Sequence, residues 1–283
     1  MKKQILAVTM AALMAAALAG CGSSAATETT AAAETTEGAE TTATEESAAT
    51  EAAEAQADET EAAAGGTLVM GTNAEFPPYE FYEDSKIVGI DAEIAQAIAD
   101  KLGMELQIED MSFDAIIPSL TSGKIDFGAA GMTVTEDRKA SVDFTDSYAS
   151  STQVIIVKTG STVTGEADLN GKTVGVQLGT TGDALAGDIE GATIERYNKG
   201  MEAVQSLSQG KVDAVVIDQE TAKAFVSNVE GIEILEEKLT EEEYAIAVKK
   251  GNTELLDKMN AAIKELKEDG TLDSIVAKYI TAE

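Results

Sequence analysis

The chain has 283 residues, with 20 Lys and Arg against 51 Asp and Glu, no His, no Trp and a single Cys. A formal net charge of −31 excludes nucleic acid and anionic lipid surfaces as charge-driven partners. Without His and with one Cys there is no zinc site, no Ser–His or Cys–His dyad and no internal disulfide, so no catalytic residue, metal ligand or cofactor is assigned. No D-x-[DN]-x-[DN]-G loop offers calcium ligands, and Gly165 to Thr173 has five residues between its glycines where a phosphate loop has four.

In chain order, Met1 to Gly20 reads as a targeting segment: Lys2 and Lys3 form a basic start, and Ile5 to Ala19 is apolar but short for a bilayer span. It runs into Leu18-Ala19-Gly20-Cys21, which resembles the lipobox of bacterial lipoproteins, and that resemblance makes Cys21 the site of lipidation. Residues 22–66 are Ala, Thr, Glu, Ser and Gly apart from Gln56 and Asp58, with neither Lys nor Arg and no large apolar side chain. Such a stretch cannot bury enough surface to offset chain entropy, and we read it as an acidic, disordered tether. As a flexible coil it would reach roughly 35–40 Å, further with charge repulsion.

The folded part is expected from Thr67 onward. Thr67 to Gly71 reads as a buried strand, Asn73 to Tyr79 as a loop, and Glu80 to Tyr82 as a further strand segment. Ile94, Ala95, Ile98 and Leu102 share one face of a helix over 91–102 that Gly103 stops. Leu106 to Glu109 is a strand, and Phe113 to Leu120 is a helix in which Pro118 implies a kink or an early start. Strands are expected at Gln153–Val157, Lys172–Val176 and Tyr244–Val248. Two closing helices are marked by Leu255, Met259, Ile263 and Leu266, and by Leu272, Ile275, Val276 and Tyr279.

The most informative stretch is Gly123 to Arg138. Ile125, Phe127 and Ala129 alternate with Asp126 and Gly128 as a strand requires, and the segment then turns small and polar at Ala130, Gly131 and Thr133. Small residues admit a ligand to bare backbone N–H groups, and Arg138 adds a permanent cation shaped for a carboxylate. Ser119-Leu120-Thr121-Ser122-Gly123-Lys124-Ile125-Asp126 is echoed by Ser206-Leu207-Ser208-Gln209-Gly210-Lys211-Val212-Asp213, each a helix end, a Gly stop and a buried strand. The second strand ends on Asp218. Two α/β halves with polar residues at the carboxyl ends of their strands suggest a cleft between them, with a cation on one side and an anion on the other. That charge pattern fits a zwitterion. The loop Gln177-Leu178-Gly179-Thr180-Thr181-Gly182 at a helix start offers N–H groups and hydroxyls to an anion, or simply caps the helix.

Several strings, in this order and spacing, resemble the amino-acid-binding members of the bacterial extracellular solute-binding proteins, which serve ABC importers. They are G-T-N-A-E-F-P-P-Y-E-F (71–81), V-G-I-D-A-E-I-A (88–95), F-D-A-I-I-P-S-L (113–120), G-M-T-V-T-E-D-R (131–138), V-D-F-T-D-S-Y (142–148), D-L-N-G-K-T-V-G-V (168–176), G-T-T-G (179–182), G-K-V-D-A-V-V-I-D (210–218) and K-E-D-G-T-L (267–272). The resemblance implies a type II periplasmic-binding-protein fold. Two α/β lobes would be joined by two crossing hinge strands, near Tyr148–Thr152 and Glu242–Tyr244. Lobe 1 would comprise 67–149 and 245–283, and lobe 2 would be 150–244.

Carried over to these positions, the resemblance implies that Arg138 grips the ligand α-carboxylate, with Thr133, the Gly131 backbone and Thr181 completing that site beside Ala130 and Thr180. Asp218 would pair with the α-ammonium, and Phe76 and Phe113 would sandwich the ligand side chain. Asn73 and Gln177 would touch its tip. A neutral Asn73 suits an amide such as Gln; the Gln177 and Thr-Thr-Gly combination resembles arginine binders, and Glu75 is a further carboxylate for a cationic side chain. The implied protein is an extracytoplasmic monomer, lipid-anchored on the outer face of the cell membrane or periplasmic, that delivers an L-amino acid to ABC permease subunits. Two alternatives stand beside it: a cyclohexadienyl-dehydratase-like enzyme on the same fold, and a sensor that signals through a membrane partner.

Overall fold

The computed structural model of the chain describes residues 65–280; the targeting segment, Cys21 and the acidic stretch lie outside them. The chain enters as β1 (Thr67–Thr72), followed by a small antiparallel sheet of β2 (Glu75–Phe76), β3 (Glu80–Glu83) and β4 (Lys86–Val88). Next come α1 (Ile90–Leu102), β5 (Glu105–Asp110), α2 (Phe113–Ser122), β6 (Phe127–Gly128), the single turn α3 (Glu136–Lys139) and β7 (Val142–Phe144). A short strand, β8 (Ala149–Ser151), leads into β9 (Gln153–Lys158), β10 (Thr173–Gln177), α4 (Thr181–Asp188), β11 (Thr193–Tyr197), α5 (Gly200–Ser208), β12 (Ala214–Asp218), α6 (Gln219–Val226) and β13 (Ile232–Lys238). The chain returns through β14 (Glu242–Tyr244) to β15 (Ala247–Lys249), α7 (Thr253–Glu268) and α8 (Thr271–Tyr279).

These strands make two main sheets, ordered β5-β1-β6-β15-β7 and β11-β10-β12-β9-β13. In each, the first three strands are parallel, the fourth runs antiparallel to them, and the fifth pairs antiparallel with the fourth. The antiparallel pair β8 and β14 links the two, so the fold is two-lobed α/β with two crossing strands.

The lobes are stable for ordinary reasons. Helix α1 buries Ile94, Ala95 and Ile98 in a core shared with β1, β6 and α7, and each of the two Ile side chains contributes about 1.5–3 kcal/mol. It ends where Gly103 adopts the left-handed conformation (φ 63°) and donates to Ala99 and Asp100 carbonyls. In the other lobe β9 alternates cleanly: Val154 and Ile156 pack with α5 and α6, and Ile155 and Val157 pack on the opposite face.

Three expectations change. The strand read from the alternation of Ile125, Phe127 and Ala129 is regular only at Phe127–Gly128, in the middle of its sheet, although all three side chains are buried and the flanking Asp126 and Ala129 N–H groups still donate to β1 carbonyls. The Tyr244–Val248 strand is broken between Tyr244 and Ala247. Its first part pairs with β8 in the crossing ribbon and its second with β6 and β7. Helix α2 runs from Phe113 to Ser122, two residues past the expected Leu120, with Pro118 inside it as expected.

Candidate functional site

The parallel strands of both lobes point their carboxyl ends at one another, and all eleven candidate residues line one cavity between them. From the first lobe come Asn73 after β1, Phe76 on β2, Phe113 at the start of α2, Ala130, Gly131 and Thr133 after β6, and Arg138 on α3. From the second come Gln177 at the end of β10, Thr180 and Thr181 at the start of α4, and Asp218 at the end of β12. Glu75 does not line it; its carboxylate pairs with Lys199 of the other lobe.

Arg138 is held rather than floating. Its Nη1 donates to the Thr133 carbonyl at 2.8 Å and its Nη2 to the Gly179 carbonyl at 3.1 Å, so it bridges the lobes. The guanidinium lies 5.2 Å over the Phe113 ring. Burial lowers its pKa while the nearby Glu242 charge opposes that shift, and a guanidinium stays protonated regardless. Beside it, Gly131 has φ 50°, and a Cβ there would approach Phe76 Cε1 to 2.8 Å. Glycine is what lets the cleft floor, the Phe76 ring and the Asp91 carboxylate meet, the last by accepting from Gly131 N at 2.8 Å.

Asp218 is almost fully buried. Its Oδ1 caps α6 by accepting from Glu220 N at 3.0 Å and Thr221 N at 3.4 Å, and its Oδ2 accepts from the Tyr244 and Ser151 hydroxyls. Four donors fix the carboxylate in one orientation. Burial nevertheless pushes its pKa up to about 6. Behind it sits a pair of acids. Asp91 accepts from Tyr148 Oη at 2.7 Å as well as from Gly131, and burial raises it to about 6. Glu80, which lines the cavity, is raised well above the carboxylate range by burial and by the Asp91 charge.

The tip end of the cleft is built from amides. Gln177 Nε2 donates to Asn73 Oδ1 at 2.9 Å and to the Asn198 carbonyl at 3.2 Å, and Asn73 Nδ2 donates to the Met111 carbonyl at 2.9 Å. The hydroxyls of the Thr-Thr-Gly loop divide their roles. Thr180 caps α4, accepting from Asp183 N at 3.1 Å and donating to the Gln177 carbonyl at 2.8 Å. Thr181 donates to Glu242 Oε2 at 3.1 Å, and Thr133 from the opposite lobe donates to the same oxygen at 2.7 Å.

Glu242, Glu80, Gln153 and Tyr244 are the polar residues of this site that sequence reading missed. Glu242 stands in a Glu241-Glu242-Glu243 run that looks like solvated charge. Gln153 is a polar residue heading an otherwise apolar strand, and Glu80 lies within the 71–81 string, so each carried a faint signal.

Comparison with known proteins is consistent across sequence and structure. The family described as bacterial extracellular solute-binding proteins, family 3, matches residues 68–282. The arginine-binding extracellular protein ArtP of Bacillus subtilis is 38% identical over 222 residues, covering 76% of this chain and 87% of that protein. An ancestral arginine-binding protein bound to arginine superposes with a TM-score of 0.72 at 46% identity, covering 76% of this chain and 98% of the other. Its glutamine-bound counterpart gives 0.71 at 45% identity, covering 76% and 98%.

Proposed function

The chain belongs to family 3 of the bacterial extracellular solute-binding proteins, binding an amino acid for an ABC transporter, and from that premise we propose that its ligand is a cationic L-amino acid, arginine first. The observation that carries this reading is the charge balance of the cleft. Arg138 is the one Lys or Arg among the described residues lining it, whereas Asp218 lines it and Asp91 and Glu242 stand directly behind; Glu80 also lines it but, raised well above the carboxylate range, adds no charge. An α-carboxylate on Arg138 and an α-ammonium on Asp218 use one charge of each sign. The negative charge left over, on Asp91 and Glu242, favours a positive side chain.

The amides agree with the charges. Both side-chain N–H₂ groups, on Asn73 and Gln177, are turned toward protein carbonyl oxygens, so what they offer a ligand tip is acceptor capacity. A guanidinium is donor-only and planar, suited to those oxygens and to the Phe76 and Phe113 rings. A glutamine amide oxygen would have a single amide hydrogen to meet it, the second N–H of Asn73, since both on Gln177 are spent on protein oxygens. In this reading Thr133, Thr181 and the backbone at Ala130 and Gly131 line the carboxylate end, and Thr180 shapes the loop that carries Thr181.

We also assign lobe 1 to 67–149 with 245–283 and lobe 2 to 150–244, closing about β8 and β14. Cys21 carries a lipid that holds a monomeric receptor at the outer face of the membrane, within reach of its permease. Replacing Cys21 by Ala should release the protein from the membrane fraction; retention there would remove the anchor.

The deciding experiment is calorimetric titration of the purified protein, refolded to remove carried-over ligand, with each of the twenty amino acids. Saturable arginine binding, with glutamine at least tenfold weaker, is the expected result. Glutamine binding as tight as arginine would overturn the cationic reading.

A further inference from the structure

Glu242 sits where an outside carboxylate would be expected. It projects from β14, one of the two crossing strands, and is buried. Its Oε2 accepts from Thr133 Oγ1 at 2.7 Å, Thr181 Oγ1 at 3.1 Å and Gln153 Nε2 at 3.3 Å, and its Oε1 accepts from Thr240 Oγ1 at 3.2 Å. Every one of these partners is a donor, so the group serves as a carboxylate acceptor. A threonine has one hydroxyl hydrogen. The hydroxyl donors that face the carboxylate end of the cleft from both lobes are therefore given to the protein's own anion.

We infer that Glu242 is a specificity-determining residue: a fixed negative charge built into the carboxylate end of the cleft that selects ligands by their total charge. The inference rests on the cationic-ligand reading and supplies one of its causes. Arg138 feels the Glu242 charge, so that end of the cleft is already balanced before an α-carboxylate enters. A zwitterion with a neutral side chain then meets a surplus of negative charge, which a positive side chain offsets. Across roughly 10 Å, at an effective dielectric of about 20, one unit charge changes affinity by about tenfold. The effect is one of net charge, so it acts on the ligand's far end without touching it.

The test uses arginine and citrulline, which replaces the guanidinium by a neutral urea group of nearly the same shape. Dissociation constants for both are measured by calorimetry on the full chain, on Glu242→Gln and on Thr240→Val. Gln keeps an acceptor for the hydroxyls while removing the charge; Val removes one donor to Glu242 while leaving the charge. The ratio of citrulline to arginine dissociation constants should fall about tenfold in E242Q, because only arginine loses the attraction of that charge for its side chain, and stay within twofold in T240V. An unchanged ratio in E242Q, or equal weakening of both ligands, would overturn the inference and leave Glu242 a hinge-packing residue. Failure of the unaltered protein to bind arginine at all would instead remove the reading on which it stands.

Discussion

Ser119–Asp126 and Ser206–Asp213 are near-copies in sequence, and the two lobes use them in the same way. In one, Lys124 N donates to Ser119 O at 2.9 Å and the Asp126 carboxylate accepts from Val69 N at 2.8 Å. In the other, Lys211 N donates to Ser206 O at 2.9 Å and the Asp213 carboxylate accepts from Thr173 N at 2.8 Å. Both glycines hold left-handed backbone, with φ 77° at Gly123 and 73° at Gly210. The residues just after the two copies differ. The first strand opens into Ala130, Gly131, Thr133 and Arg138, whereas the second ends on Asp218 and goes straight into α6. The repeat builds the lobe, and the residues that line the cavity lie just beyond it, where the copies diverge.

The strongest way to break that asymmetry is to remove its cation. Arg138→Ala should weaken arginine binding by about 2–5 kcal/mol, because the ligand carboxylate would then be buried without its charged partner. That is roughly thirtyfold to several thousandfold in dissociation constant, read by calorimetry. A loss under threefold would place the carboxylate elsewhere. The acid on the other lobe gives a gentler handle through pH. Burial raises the Asp218 carboxyl to about 6, and the ligand ammonium favours its ionised form, so affinity should be flat above pH 6 and fall by up to tenfold per unit below it.

Stability should move the opposite way. Asp218 and Asp91 both have folded values near 6, above the ordinary carboxyl value of 3.8, so the folded state binds more protons than the unfolded one between those limits. Their ionisation therefore costs stability at pH 7, and the cost is relieved as pH falls through 6. The carboxylates with lowered values, such as Asp143 held by Lys250 and Glu93 drawn down by Lys278 and Tyr279, withdraw their contribution only in more acidic solution. Between pH 7 and 5 the ligand-free protein should melt at higher temperature while arginine affinity drops. Parallel decline of both would contradict the burial of these acids.

The two lobes also show what a linear chain reveals. Elements with local causes were legible: α1 from its apolar face and Gly103, β9 from its run of β-branched residues, and the repeat from its own symmetry. Candidate residues at strand ends were legible for the same reason, since Arg138, Gln177 and Asp218 come after buried segments whose direction the sheet order fixes. Partnerships across the crossing strands were not. Glu242 meets Thr133 from 109 positions away and Thr181 from 61, and Glu75 meets Lys199 from 124. Nothing local distinguishes Glu242 from Glu241 or Glu243, yet only the alternation of a strand paired with β8 turns it inward while Glu243 faces out. Helix α6 went unread because its cap is Asp218 itself, a residue whose position at a strand end pointed to a ligand rather than to the backbone behind it.

The smallest expected effect is also the sharpest check on the scaffold role of the repeat. Asp126 and Asp213 are exposed, and each accepts from a residue in the first half of a parallel strand, Val69 on β1 and Thr173 on β10, away from the carboxyl end that faces the cleft. Replacing either by Ala leaves one backbone N–H without its partner, a loss of about 0.5–1.5 kcal/mol. Because the two sites share no contacts, the double variant should lose the sum of the single losses in urea unfolding, within about 0.5 kcal/mol. Arginine affinity should stay within twofold throughout. Matched stability losses with intact binding mean that the copies serve only to register each sheet. An affinity loss confined to one of them would mean that the repeat on that lobe also sets the position of the residues beyond it.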